Sequence, residues 1–75
     1  MPFKLTNAQL RLFQRTPDEQ QMVRYVKLWR MENLNLSLKR KYYNAALHYF
    51  IQLPMSVKIK IEELERMNKH KRKHM

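Results

Sequence analysis

Glycine and cysteine are both absent from the 75 residues. Phosphate-cradling loops need positive φ or a very close backbone approach, so Walker loops and dinucleotide fingerprints are excluded without glycine. Tight two-residue hairpins usually take glycine or asparagine as well, and extensive β structure is not expected. Without cysteine there is no disulfide, thiolate metal site, redox pair or thiol nucleophile. No apolar run approaches the roughly 20 residues that a membrane-spanning helix requires. Acids are scarce too: six Asp and Glu stand against 16 Lys and Arg, for a net charge of +10.

What remains is still a folding sequence, because 44% of the residues are hydrophobic, too many for a simple basic tail. The length allows one domain at most. A core this small supplies only about 3–5 kcal/mol, and with no disulfide the remaining common stabiliser is a bound partner. The charge excess names the class of partner. It points to a polyanion, nucleic acid first and an anionic membrane second.

Two helix starts are legible. Thr16-Pro17-Asp18-Glu19 offers an N-cap, a proline at the first helical position and acids facing the dipole, with Glu19 placed to close a capping box. Thr6-Asn7-Ala8-Gln9 opens a short first helix of about 7–15, which Pro17 must end or bend. Met22, Tyr25, Val26 and Trp29 then recur at helical spacing and predict a helix over about 17–32. Residues 33–37 lose the period, and Ser37 is the expected cap of a helix over about 38–52. There Leu38, Tyr42, Ala45 and Tyr49 form one stripe, widened by Tyr43, Ala46, Leu47 and Phe50. A helix apolar around most of its circumference is buried on more than one side, and the second cover is expected from another molecule. Tyr43, Leu47, Phe50 and Ile51 are accordingly the candidate protein-interface residues. After Pro54 a last helix is predicted over about 54–68, with Val57, Ile61, Leu64 and Met67 on one face. The expected fold is all-α: a small bundle of three to four helices over 1–65 and a basic C-terminal helical extension over 66–75.

Three basic clusters are the candidate RNA-binding residues. In first rank are Lys39, Arg40 and Lys41, and the terminal set of Arg66, Lys69, Lys71, Arg72 and Lys73; Arg24, Lys27 and Arg30 come second. Lys and Arg on phosphates dominate nucleic-acid affinity but do not by themselves read sequence. The neighbouring Tyr25, Trp29 and Tyr42 could stack on bases, yet their helical spacing is already accounted for by a core. His70 and His74 have metal-pair spacing, but the surrounding cations would repel the ion, so no metal site is expected. Glu62, Glu63 and Glu65 are spaced to pair with Lys58, Arg66 and Lys69 along a helix rather than for acid–base work. No catalytic residue and no cofactor is expected. Residues 1–17 carry Lys4, Arg11 and Arg15, no acid, and an apolar set of Leu5, Leu10, Leu12 and Phe13. That is the character of a mitochondrial targeting segment, or else of a cationic first helix packed on the domain.

Met67-Asn68-Lys69-His70-Lys71 resembles a run in the basic C-terminal motif of a family of small mitochondrial ribosomal proteins, where it continues into a longer basic helix on ribosomal RNA. The match covers five residues and a basic flank. Leu12-Phe13-Gln14-Arg15 is similar to the Leu-Tyr-Arg motif of small helical mitochondrial assembly and respiratory-complex proteins, but lacks its Tyr-Arg pair, and no binding role is carried over. Neither resemblance assigns a family. The leading expectation is a non-catalytic structural subunit of a large ribonucleoprotein, foremost a mitochondrial ribosome. It would contact ribosomal or other structured RNA through the basic clusters and neighbouring protein subunits through apolar helix faces. The alternative is an accessory or assembly subunit of a mitochondrial membrane complex, with the tail on anionic lipid head groups. A DNA-reading third helix is disfavoured, since base edges call for Arg, Asn or Gln.

Overall fold

The structure is a computed structural model that describes residues 3–73, with side chains through residue 68. It is all-helical: α1 (Asn7–Leu10), a 3-10 turn (Arg11–Phe13), α2 (Pro17–Trp29), α3 (Leu36–Gln52) and α4 (Met55–Lys73). No described helix is long and apolar enough to cross a membrane.

The helix starts follow from local chemistry. Thr6 Oγ1 accepts the Gln9 N–H at 3.1 Å while Gln9 Oε1 accepts the Thr6 N–H at 3.0 Å, a complete capping box. The first helix is shorter than expected. It tightens into the 3-10 turn and ends at Phe13, because Thr16 must already be extended (ψ 161°) before Pro17. Thr16 caps α2 as expected, but its hydroxyl also donates to Glu19 Oε2 at 3.0 Å, so the reciprocal bond runs through the hydroxyl. The second helix stops at Trp29, short of the expected 32. The cap of α3 is Asn35 and not Ser37: its side chain accepts the Leu38 N–H at 2.9 Å. Asparagine caps as well as serine does, and the earlier start puts Ser37 within the first turn.

The second and third helices form an antiparallel hairpin packed through rings. Tyr25 stacks on Tyr49 at 5.9 Å and lies 6.2 Å from Tyr42, one helical turn to either side of the fully buried Ala46. A methyl at that position lets the two backbones approach. The core as a whole comprises Phe3, Leu5, Leu10, Phe13, Met22, Val23, Val26, Ala46, Leu53 and Ile61. Four of these precede α2. Phe3, only 3% exposed, meets Trp29, Tyr43 and Phe50 edge-on at 6.3, 5.5 and 5.9 Å.

Residues 3–6 thus act as a strap laid over the hairpin, and it is tied from both sides. From the end of α2, Arg30 Nη2 donates to the carbonyls of Phe3 (2.8 Å) and Leu5. From α4, Asn68 Nδ2 donates to the Lys4 carbonyl at 3.0 Å and to Gln9 Oε1 at 2.8 Å. This bears on two sequence expectations, altering the first and favouring the packed reading of residues 1–17 in the second. The second side of α3 is covered from within the chain: Tyr43 and Phe50 pack on Phe3 and Leu47 is half-buried, so of the four expected interface residues Ile51 is the exposed one. The targeting-like segment is part of the core, although its Leu12 stays outside.

Glu65 turns toward the strap instead of standing on the helix surface. Its expected partner Lys69 lies beyond the described side chains, and Oε1 has no hydrogen-bond partner among the described residues. Burial pushes the Glu65 carboxyl above the usual carboxylate range, against a smaller opposite pull from the Lys4 backbone N–H. A raised folded-state pKa favours the protonated form. The associated stability is complete below the unfolded pKa and is lost as pH rises through the folded one. Glu65→Gln is therefore expected to raise the melting temperature at pH 7, with the gain shrinking as pH falls through the raised folded pKa and vanishing below the ordinary carboxylate pKa of about 4.3. A gain independent of pH would refute this account. Phe3→Ala removes the strap's anchor at a cost of about 3–5 kcal/mol. In a domain with only a few kcal/mol of net stability that leaves the chain largely unfolded at room temperature, readable by circular dichroism.

Candidate polyanion interface

Adjacent residues on a helix point about 100° apart, so the Lys39–Lys41 run does not form one patch. Lys39 shares the inward face with Ala46 and is half-buried, while Arg40 and Lys41 are exposed on other sides of α3. On α4, Lys60 and Arg66 are exposed and Lys58 is half-buried. Sequence does not mark Lys58 or Lys60 as binding residues, since spacing to Glu62 accounts for Lys58 and nothing local distinguishes Lys60. Lys69, Lys71, Arg72 and Lys73 lie on the helical backbone of α4, outside the described side chains.

A second cationic region lies between α2 and the α1–3-10 segment. Gln20, Arg24, Lys27 and Met31 follow one another along the same side of the α2 region and face Asn7, Arg11 and Gln14. Two open depressions of about 500 and 460 Å³ adjoin there and share Lys27 and Met31. Arg11, Arg24 and Lys27 are exposed. Arg30 differs from them: its guanidinium is engaged by the Phe3 and Leu5 carbonyls and by Asn7 Oδ1 at 3.5 Å. Burial lowers its pKa from the usual value, but an arginine remains charged at any physiological pH. It lends charge to the groove while its donors hold the strap. By sequence alone Arg11 belongs only to a cationic N-terminal segment. No local signal could have set it opposite Lys27, because the strap creates that proximity.

The aromatic residues beside these cations are used internally. Tyr25 and Tyr42 belong to the ring stack between α2 and α3, and Trp29 sits 5.3 Å from Tyr43. His48 is exposed with its ring edge-on to Tyr49 at 5.3 Å. Among the described residues no three His, Asp or Glu gather to hold a metal. What the surface can do is electrostatic: Arg40, Lys41, Lys60 and Arg66 can each meet a phosphate without first breaking a described hydrogen bond. Compared with family models, curated proteins and solved structures, the chain matches none of them.

Removing the Tyr25 ring tests the division between packing and binding. Tyr25→Ala is expected to cost about 2 kcal/mol, below the full core value because the ring is half-buried. At a temperature where the variant is folded, its binding to an RNA oligonucleotide should equal that of the parent. A selective loss of RNA binding would instead make Tyr25 a stacking residue.

Proposed function

We propose that this protein is a non-catalytic structural subunit that neutralises RNA phosphates within a large ribonucleoprotein. The observation that carries the reading is the set of exposed cations on α3 and α4, Arg40, Lys41, Lys60 and Arg66, leading into the basic run Lys69–Lys73. Each Lys or Arg that meets a phosphate releases condensed counterions, so affinity comes from charge and falls with salt. Among the described residues no base-reading geometry accompanies these cations, and the expected role is architectural. The organellar form of the proposal, a mitochondrial ribosome, is supported by the five-residue likeness at Met67–Lys71.

A second reading has its own observation. Ile51 (58% exposed), Met55 (68%) and Ile59 (46%) are outward-facing apolar residues at the α3–α4 junction, with Met55 and Ile59 one turn apart. They suit an accessory or assembly subunit of a mitochondrial membrane complex that works through protein contacts, with anionic lipid meeting the basic run.

Sedimentation of the tagged protein from gentle lysate, with and without ribonuclease, separates the two. The RNA reading expects migration with a large particle and release by nuclease. Reversing the charge of Lys69, Lys71, Arg72 and Lys73 should then abolish incorporation, and the salt slope of RNA binding should fall by about one for each phosphate no longer neutralised. If that variant assembles normally while Ile51→Asp does not, protein contact prevails. Ile51 is the better probe than Tyr43 or Phe50, whose replacement would break the packing on Phe3.

A further inference from the structure

Arg24 and Lys27 differ from the other exposed cations in what lies between them. The groove there is lined by the apolar Val23, Leu28 and half-exposed Met31 together with the cations Arg24 and Lys27, and Arg11 lines the adjoining depression. None of the residues lining it is acidic. A nucleic-acid strand laid in it would find cations for its phosphates but no aromatic face for its bases, because Tyr25 and Trp29 of the same helix pack inward. A peptide with carboxylates for the cations and apolar side chains for the apolar lining satisfies both parts.

The walls are also set before any partner arrives. At one end Gln20 Nε2 donates to the Gln14 carbonyl at 3.1 Å, and at the other Arg30 Nη1 reaches Asn7 Oδ1 at 3.5 Å. With Arg30 already held by the strap carbonyls, less of the groove has to be ordered on binding, which favours affinity. Met31 is 53% exposed, and its unbranched thioether can reshape to fit an incoming side chain.

We infer that this groove docks an acidic segment of a partner protein that carries apolar anchor residues. Charge complementarity selects that occupant over a second copy of this chain, which has net charge +10 and six acids. The inference stands apart from RNA contact by α3 and α4.

The test is a nitrogen-15 NMR titration of the full chain with three probes: a short synthetic peptide of Glu and Leu, the same peptide with Leu replaced by Ser, and an oligouridine. The Glu–Leu peptide is expected to shift the amides of Val23, Lys27, Leu28 and Met31, and the Ser peptide to bind at least about ten-fold more weakly. Met31→Ser and the pair Arg24→Glu, Lys27→Glu should each weaken the Glu–Leu peptide about ten-fold or more. All three side chains lie outside the core, and Met31→Ser alone suffices if the charge-reversed pair folds poorly. Four outcomes overturn the inference: equal affinity for the Ser peptide, shifts confined to other surfaces, no shifts at saturating peptide, or tighter groove binding by oligouridine.

Discussion

Phe3 touches Trp29, Tyr43 and Phe50 at once, so positions from two helices share a single ring supplied by a third segment. Most of what is particular to this fold depends on that wedge. The α2–α3 hairpin has its own ring stack at Tyr25, but one side of α3 would stand open in water without the strap. Among its described residues the fourth helix contributes Ile61 alone to the fully buried core, with Val57 and Leu64 partly covered. Its hydrogen bonds from Asn68 to the strap and to Gln9 compensate for that thin apolar packing. A domain of this length with no disulfide holds little stability in reserve, so one segment that tethers three helices has a large effect on whether the chain folds.

Arg30 links stability to surface chemistry. Half-burying a guanidinium is costly unless its donors are satisfied, and the Phe3 and Leu5 carbonyls satisfy them. Its Nη1 also reaches Asn7 Oδ1 at 3.5 Å, on the α1 side of the groove. The interaction that holds the strap down therefore also shapes the groove in which Arg11, Arg24 and Lys27 meet. Two of the six acids are drawn into local duties, Glu19 at the α2 cap and Glu65 against the strap, which leaves the outer surface more basic still.

The cationic residues divide into two environments. Arg40, Lys41, Lys60 and Arg66 stand on exposed surfaces of α3 and α4 with varied directions, suited to phosphates that follow the shape of the partner. Those around the groove converge beside an apolar lining, suited to a segment with both charge and side-chain bulk. A structural subunit wedged between RNA and protein would use both, and neither use requires chemistry at a reactive group.

Much of the framework was legible in order along the chain. Pro17 and Pro54, the Thr16 and Thr6 caps, and the apolar period of α2 and α4 act through neighbours within a few residues, so sequence determined the all-α class and the approximate helices. The net charge and the excluded chemistries follow from composition alone. The caps went astray only where two good capping residues, Asn35 and Ser37, competed within a single turn. Tertiary structure decided the rest. Phe3 fills the open side of α3, Arg30 ties the strap carbonyls, and Arg11 faces Lys27; each of these joins residues far apart in sequence. Periodicity tells a helix which of its faces is apolar, but the identity of what covers that face is settled by three-dimensional packing.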